Sequence, residues 1–221
     1  MEGPLYPVGL VVRGRRCLVV GGGRVAARKV RSLLECGAAV TMVAPEAHEA
    51  LGLLSAAGAI AAIDGPPLDV QLRPYAPGEA AGYRLVITAT GDPDVDGAVH
   101  ADAEAAGVWV NSADDPEHCS FVLPAVWRDG PVTIAVSSEG ESPALSTWLR
   151  SQVASSAGPG IGLLAELLGE ARRTLQAAGR STDEVDWQCL LRGPLLDLVR
   201  EGRMGEARAV LSEAIGGDPG A

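Results

Sequence analysis

The sequence predicts an α/β fold in three parts: a parallel-sheet domain, a small α+β segment and an all-helical C-terminal region. Apolar strand-like runs alternate with helix-compatible stretches through residue 111, which is typical of a parallel sheet with helices on both faces. A polar loop and a hairpin-like pair of strands then interrupt this alternation. After Gly158-Pro-Gly160 only helical patterns remain. We therefore predict domains at 1–113, 114–157 and 158–221.

The first part begins with a strand–helix–strand unit. An apolar run predicts a strand over 17–20, a helix follows over 25–36, and Gly37 stands where a C-terminal cap belongs. The second buried strand covers 39–44, so the unit takes about 30 residues, the usual length of a βαβ motif. The further predictions for this part are a helix over 46–57, a strand over 59–63, mostly loop over 64–82, a strand over 83–90, a helix over 94–106 and a strand over 108–111.

The middle and C-terminal parts change character. Residues 120–136 contain extended runs joined by a turn, which predicts an antiparallel hairpin. Ser142 is the predicted N-cap of a helix over 143–155, because Pro143 then takes the first helical position. The C-terminal helices are predicted over 161–178, over 183–191 with Thr182 as the cap, over 194–200 and over 204–215.

Three consecutive glycines follow the first strand in the pattern Gly21-x-Gly23-x-x-Ala26. This pattern is the alanine variant of the fingerprint by which a strand–turn–helix unit binds a dinucleotide. Gly21 permits the tight turn, Gly23 lets a pyrophosphate approach the backbone, and the helix N-terminus offers free N–H groups. We therefore predict a Rossmann-type domain that binds its cofactor at Gly21, Gly22 and Gly23. An ordinary tight turn is the alternative.

Further cofactor contacts are predicted where two of the strands end. In many NAD enzymes an acidic residue at the end of the second strand binds the ribose hydroxyls. Here Pro45 follows that strand, so the ribose contact comes either from backbone groups or from Glu46. No arginine follows directly to bind a 2′-phosphate, which favours NAD over NADP. Thr88 and Thr90 end a buried strand, and either line the cofactor or are ordinary strand residues.

The charge of the chain is strongly acidic but uneven. A formal net charge of −10 argues against general nucleic-acid binding. Residues 13–31 nevertheless hold seven of the 18 basic residues and no acidic one. This stretch is either a local anion site or a solvated basic face.

The sequence also predicts the compartment. No apolar run reaches the ~20 residues that a membrane span needs, and the N-terminus lacks the layout of a signal peptide. We therefore expect a cytoplasmic protein without a membrane partner. The four cysteines are scattered with no C-x-x-C pair, so we expect neither a disulfide framework nor a zinc site, and we interpret them as small buried residues.

Several dinucleotide chemistries are excluded by residues that the chain lacks. Lys29 is the single lysine, and no tyrosine stands four residues before it, so a Tyr-x-x-x-Lys hydride-transfer pair is impossible. A Walker A loop is excluded as well, because Arg28 precedes that lysine. The polar loop over 111–118 remains. Its carboxylates, Asp114 and Asp115, either move protons beside a nicotinamide or form a turn before a proline.

Six motifs occur in an order that resembles a known family. They are Val19-Val-Gly-Gly-Gly-Arg-Val-Ala-Ala-Arg-Lys29, Val40-Thr-Met-Val-Ala-Pro45, Val86-Ile-Thr-Ala-Thr90, Asn111-Ser-Ala-Asp-Asp-Pro116, Ser120-Phe-Val-Leu-Pro124 and Ile134-Ala-Val-Ser-Ser-Glu-Gly-Glu-Ser-Pro143. The series closely resembles the precorrin-2 dehydrogenase module of siroheme synthase, over roughly residues 5–155. The motifs from Asn111 onward are much more specific than the glycine turn.

The resemblance implies an activity and a set of roles. In that family NAD oxidises precorrin-2 to sirohydrochlorin, and some members then insert ferrous iron, which is a substrate there rather than a bound cofactor. Family members are homodimers, and the segment after Asn111 forms much of the interface and of the tetrapyrrole pocket. The roles implied for this chain are catalysis for Asp114, cofactor contacts for Arg24, Val25, Pro45 and Glu46, and substrate contacts for Asn111 and Ser138.

Two departures and one alternative accompany this interpretation. Gly91 stands where relatives usually carry a polar residue, which puts one of the family's cofactor contacts in doubt. No metal-ligand spacing decides whether iron is inserted, so the metal ligands stay unassigned. The alternative function is a non-catalytic NAD-binding sensor or regulatory dimer on the same fold. It leaves the motifs from Asn111 to Pro143 unexplained.

Overall fold

A computed structural model describes residues 4–47, 68–113 and 115–216 of the chain. These residues belong to two compact units, Met1–Leu123 and Pro124–Ala221. The helix predicted over 46–57 lies outside the described residues beyond 47, as does the whole strand predicted over 59–63. Within the described part of the chain, no helix is long and apolar enough to cross a membrane.

The first unit contains a five-stranded parallel sheet with helices. Its elements are β1 (Arg16–Val20), α1 (Arg24–Glu35), β2 (Ala39–Ala44), β3 (Asp69–Leu72), β4 (Leu85–Thr88), α2 (Pro93–Ala105) and β5 (Trp109–Ser112). The strand order is β3-β2-β1-β4-β5, and all four strand pairs are parallel. The order therefore reverses direction at β1, as it does in the Rossmann fold. The predicted fold class is confirmed.

The sheet has a separate apolar core on each face. Alternate residues of a strand point to opposite faces, and β1 shows this directly. Val19 belongs to the cluster that contains Val30 of α1, whereas Leu18 belongs to the cluster that contains Val99 of α2. All four side chains are fully buried. The two clusters explain why the strands read as continuous apolar runs rather than as alternating patterns.

Strand β3 is an unpredicted strand within residues 64–82, which are predicted to be mostly loop. Its residues pair in parallel with β2, from Asp69 opposite Thr41 to Leu72 opposite Ala44. The strand lies at the edge of the sheet, and three of its four residues are exposed. An exposed edge strand has no buried apolar run, so within this Pro- and Gly-rich stretch the sequence does not distinguish β3 from a loop.

The second unit combines a hairpin with helices. Its elements are β6 (Ala125–Asp129), β7 (Val132–Val136), α3 (Pro143–Ala157), α4 (Ile161–Ala177), α5 (Trp187–Arg192), α6 (Leu195–Arg200) and α7 (Met204–Ala214). β6 and β7 are antiparallel, with Ala125 opposite Val136, as predicted. Ser142 caps α3 by accepting the Leu145 N–H at 3.2 Å, which confirms the predicted cap.

One C-terminal helix differs from its prediction. The stretch predicted as a helix over 183–191 with Thr182 as its cap forms two shorter elements. A single 3₁₀ turn, Thr182–Glu184, is closed by a capping box between Ser181 and Glu184, and α5 begins only at Trp187. Val185 lies between them in an extended conformation, and the Asp186 carboxylate caps α5. Two successive caps within six residues therefore divide the helix.

Candidate functional site

The glycine turn fits tightly between the ends of two strands. Gly21 has φ of +124° and donates its N–H to the Val43 carbonyl at 2.9 Å. A Cβ atom at this position would lie 2.3 Å from the Ala89 carbonyl oxygen, just beyond β4. A Cβ at Gly22 would lie 1.9 Å from the Glu46 carbonyl oxygen, just beyond β2. Both positions therefore require glycine, the first for its backbone angle and both for space.

Gly23 differs from its two neighbours, because a Cβ built there would meet nothing within 4 Å. It is the N-cap of α1, with φ of −81° and no side-chain hydrogen bond to the first turn of the helix. No side chain therefore caps the first N–H groups of α1, and the space beside Gly23 is open. Arg24 follows, exposed, and no acidic residue occupies the first turn. Open access, uncapped N–H groups and positive charge together fit a pyrophosphate group.

The residues after β2 form the second side of this turn. Pro45 and Glu46 are exposed, and Val25 in α1 is half-buried. The backbone of Glu46 packs against Gly22, so its side chain is attached directly beside the turn. Arg28 and Arg31 continue an exposed basic face along α1 from Arg24. Neither of them takes part in the ion pairs of the described residues.

A carboxylate holds the end of β4. The hydroxyls of Thr88 and Thr90 both donate to Oδ1 of Asp96 in α2, the Thr90 bond measuring 2.6 Å. The Thr90 N–H lies 3.4 Å from the same oxygen. The Asp92 carboxylate caps α2 by accepting hydrogen bonds from the N–H groups of Asp94 and Val95. Thr88 is completely buried, so its hydrogen bond to Asp96 is shielded from solvent.

The loop after β5 folds back and covers the edge of the sheet. Ser120 hydrogen-bonds both backbone groups of Val110: its N–H donates to the carbonyl at 2.8 Å, and its Oγ accepts the N–H at 2.7 Å. The Cys119 sulfur accepts the Ser112 N–H at 3.2 Å and lies 3.3 Å from the Ser112 carbonyl oxygen. Asn111, which is buried, donates its side-chain amide to the Phe121 carbonyl at 3.0 Å. The returning segment thus satisfies the outward-facing groups of β5.

This loop carries the predicted catalytic residue. Asp114 itself lies outside the described residues. Its neighbour Asp115 accepts a 2.5 Å hydrogen bond from Nδ1 of His118, which lowers the pKa of the Asp115 carboxyl group. The His118 ring packs edge-on against His100 of α2, with ring centroids 4.7 Å apart. Burial raises the pKa of the Cys119 thiol, whose sulfur hydrogen-bonds the backbone of Ser112.

In the second unit, Ser138 is part of a network of serines. Its Oγ accepts the Ser142 N–H at 3.0 Å and the Ser146 hydroxyl at 2.9 Å. Ser146 is buried, whereas Ser138 is half-buried. The next residue, Glu139, has φ of +55°, which is uncommon for a residue other than glycine. The network fixes the start of α3 against the loop that follows β7.

Helix α3 exposes an apolar stripe. Leu145, Trp148, Leu149 and Val153 follow helical spacing along one face, and Trp148 is 56% exposed. The stripe extends for more than two turns of the helix. Contiguous exposed apolar surface of this kind is typical of an interaction surface.

Two family models match the chain in succession. The model described as putative NAD(P)-binding matches residues 8–125, more than half of the chain. The model described as sirohaem biosynthesis protein central matches residues 129–156. The chain belongs to the siroheme synthase family. The predicted family is therefore confirmed, and the dinucleotide interpretation of the glycine turn is supported at the level of NAD(P).

Curated members of the siroheme synthase family resemble almost the whole chain. The siroheme synthase of Chromobacterium violaceum is 38% identical over 212 residues, which are 95% of this chain and 43% of that protein. The siroheme synthase of Methylococcus capsulatus is 36% identical over 211 residues, again 43% of its length. The chain thus spans less than half the length of the curated relatives it matches.

A solved structure supports the fold of this siroheme synthase family member. SirC, a precorrin-2 dehydrogenase, superposes with a TM-score of 0.70 and 24% identity, covering 95% of this chain and 100% of that chain. At this level of identity the similarity shows the fold, including the helical C-terminal region.

For this siroheme synthase family member, the structure brings part of the predicted site together. The predicted cofactor residues of the first unit lie around one edge of the sheet, at the ends of β1, β2 and β4. Ser138 belongs to the second unit. The sequence does not predict a role for Asp96 or the pairing of Asp115 with His118. Asp96 contacts Thr88 and Thr90 across the turn between β4 and α2, and sequence spacing does not indicate a contact of this kind.

Not every cysteine and basic residue follows its sequence-based interpretation. Cys17 is fully buried, and burial raises the pKa of its thiol to about 11. Cys189 is exposed, so the interpretation of all four cysteines as buried residues is wrong for this one. Arg16 lies over the ring of Tyr83, with 4.6 Å from the guanidinium carbon to the ring centroid. Arg16 starts β1, at the edge of the sheet opposite the glycine turn.

Proposed function

We propose that this chain is an NAD-dependent dehydrogenase that oxidises precorrin-2 to sirohydrochlorin. The observation that carries the proposal is the succession of an NAD(P)-binding match and a sirohaem biosynthesis match within one chain. The glycine turn adds geometric support, because Gly23 and the uncapped start of α1 leave room for a pyrophosphate. The curated relatives are named siroheme synthases over the same stretch.

In the proposed site, the chain's own residues bind and orient. The N–H groups at the start of α1 bind the pyrophosphate, with Arg24 contributing positive charge. Glu46, beside Gly22, binds the ribose hydroxyls, which favours NAD over NADP because a 2′-phosphate would meet a carboxylate. NAD, when bound, supplies the nicotinamide ring that accepts a hydride. Thr88 does not bind the cofactor through its hydroxyl, because that hydroxyl donates a hydrogen bond to Asp96.

Asp114 is the proposed acid–base residue, by resemblance to the family. Loss of a hydride and a proton from the macrocycle requires a group that accepts the proton, and a carboxylate can do this. Asn111 fixes the course of this loop through its bond to the Phe121 carbonyl. Ser138 is the second proposed substrate residue, and hydrogen bonds from Ser142 and Ser146 hold its hydroxyl at the start of α3.

The decisive assay supplies precorrin-2 with NAD or NADP and follows formation of the reduced cofactor. We expect turnover with NAD, a slower rate with NADP, and strong loss of rate in Asp114→Asn. Asp115→Asn is the matched control, because it removes the same charge from the adjacent position. Absence of turnover by the wild-type protein, with NAD affinity retained, would instead support the non-catalytic sensor. Equal loss in both variants would remove the specific role of Asp114.

The same assay tests iron insertion. Ferrous iron is a substrate in this reaction, and the macrocycle's absorption spectrum distinguishes sirohydrochlorin from sirohaem. Runs with and without ferrous iron therefore show whether the protein only dehydrogenates. A cytoplasmic location stays a prediction, and the four free cysteines fit a reducing compartment.

We also propose a homodimer that uses the apolar stripe of α3. Association would cover Leu145, Trp148, Leu149 and Val153, which are costly to leave in water. Sedimentation of Trp148→Glu should show a shift toward monomer. Thr147→Glu adds the same charge at an exposed position of α3 outside the stripe, and we expect it to leave the wild-type mass unchanged. A monomeric wild-type protein would contradict the proposal.

A further inference from the structure

Asp96 accepts hydrogen bonds from the two residues that flank Ala89, next to the glycine turn. Thr88 and Thr90 flank Ala89, and both of their hydroxyls donate to Oδ1 of Asp96, at 2.6 Å for Thr90. The Thr90 N–H approaches the same oxygen at 3.4 Å. Asp96 is half-buried in the first turn of α2, and the start of this helix is fixed by the cap at Asp92. The carboxylate thus ties the end of β4 to a helix whose start is anchored.

Ala89, which lies between Thr88 and Thr90, packs directly against the glycine turn. The Ala89 carbonyl group faces Gly21, where an added Cβ would lie 2.3 Å from its oxygen and 2.7 Å from its carbon. The Ala89 N–H donates to the Val20 carbonyl at 2.8 Å, so this residue extends the pairing of β4 with β1. Gly21 has no free space on this side. Any displacement of Ala89 therefore changes the position that the turn can adopt.

We propose that Asp96 is a positioning residue for the nucleotide: by holding Thr88 and Thr90, it fixes Ala89 against Gly21 and so sets the shape of the turn. The proposal rests on the proposed binding of NAD at this turn. It assigns Thr88 and Thr90 to the support of the turn rather than to direct contact through their hydroxyls. It predicts that Asp96 affects cofactor affinity more than the rate at saturating cofactor.

The contacts indicate that Asp96 acts through the position of its acceptor oxygen rather than through its negative charge. One oxygen receives all the donors, and the side-chain carbonyl of asparagine could receive the same ones. Asp94 lies two residues earlier in α2, is exposed, and carries the same charge near the same helix N-terminus. If negative charge near the helix start supports NAD binding, removing Asp94 or Asp96 should weaken binding equally. If the hydrogen bonds to Thr88 and Thr90 support NAD binding, only removing Asp96 should weaken it.

The test measures NAD binding by calorimetry on the full chain, with the melting temperature recorded for every variant. We expect Asp96→Ala to weaken NAD binding about tenfold, equivalent to about 1.4 kcal/mol. Asp96→Asn should restore binding to within about twofold of the wild type, because it keeps the acceptor. Asp94→Ala should bind as the wild type does. In the turnover assay, Asp96→Ala should raise the KM for NAD and change kcat much less.

Three results would overturn the proposal: wild-type affinity in Asp96→Ala, equal weakening in Asp96→Asn and Asp96→Ala, or equal weakening in Asp94→Ala. If Asp96→Ala does not fold, Asp96→Glu decides, because it keeps the charge but moves the carboxylate by one methylene. Weaker NAD binding supports the positioning role, and wild-type affinity refutes it. The binding measurement is independent of precorrin-2, so failure of the proposed reaction would leave this test intact.

Discussion

The two glycines Gly22 and Gly23 are adjacent, yet a methyl group should strongly destabilise the fold only at Gly22. At Gly22 the new carbon would lie 1.9 Å from the Glu46 carbonyl oxygen, whereas real Cβ contacts do not fall below 3.0 Å. The turn and the segment after β2 must therefore separate by about 1.1 Å. Overpacking of this kind costs roughly 1–3 kcal/mol. At Gly23 the methyl group meets open space, and the cost is limited to a poorer N-cap, about 0.5 kcal/mol.

Cofactor affinity should fall in Gly23→Ala even though the fold of this variant stays stable. The methyl group of Gly23→Ala occupies the approach to the start of α1, so we expect NAD affinity to fall at least about tenfold, or about 1.4 kcal/mol. Thermal unfolding without NAD should show a loss of several degrees in Gly22→Ala and little change in Gly23→Ala. Calorimetric titration then measures the affinity of each folded variant.

The pair of variants can also refute the reasoning. Wild-type NAD affinity in Gly23→Ala would mean that the cofactor does not approach the backbone at this helix N-terminus. Wild-type stability in Gly22→Ala would mean that the segment after β2 yields freely, and that the tight packing of the turn has no energetic weight.

Three further predictions concern the rest of the molecule. Gly162→Ala should destabilise by roughly 1–3 kcal/mol in chemical denaturation, since its Cβ would lie 2.6 Å from a backbone oxygen. Gly205→Ala, also at the second position of a helix but in open space, should be neutral or stabilise by up to about 1 kcal/mol. Ser120→Ala should cost about 1–3 kcal/mol by leaving a buried N–H of β5 without its 2.7 Å partner; unchanged thermal unfolding would contradict this. His118→Ala should raise the pKa of Asp115 in an NMR titration, and an unchanged pKa would contradict the assigned hydrogen bond.

The sign of the Asp115 effect on stability follows from the direction of its pKa shift. The hydrogen bond from His118 lowers the pKa of the carboxyl group in the folded protein below its unfolded value. The interaction therefore stabilises the fold above the unfolded pKa, and this contribution is lost as the pH falls through the folded pKa. Because the Asp115 side chain is 44% exposed, the effect is local and should be weakened by salt.

Elements with a strong apolar signal were predicted almost to the residue. β2 covers the predicted 39–44, and α1 ends at Glu35 beside the predicted cap. β2 is buried on both faces of the sheet and therefore forms a continuous apolar run, whereas α1 buries only one face and shows helical spacing of its apolar residues. β3 was missed because an exposed edge strand needs no such run. The divided helix around Val185 was missed because helical periodicity does not report a second cap inside the segment.

The candidate site was predictable where it depends on backbone chemistry. Gly21 and Gly23 were recognisable because only glycine satisfies a positive φ or leaves an open approach. Contacts between residues far apart in the sequence left weaker signals. Nothing in the sequence indicated that Ser120 would bond to Val110, or that His118 would pack on His100, because both contacts depend on the course of a loop after β5.

That loop has a consequence for how the protein can be engineered. The segment that carries Asp114 also screens the outer side of β5, through Ser120 and Cys119. An unscreened strand at a sheet margin is a template on which another chain can add, and addition of that kind leads to aggregates. Substitutions that free the loop to admit a different macrocycle would therefore expose such a template. Libraries built in this loop should be sorted for colloidal stability before they are assayed for turnover.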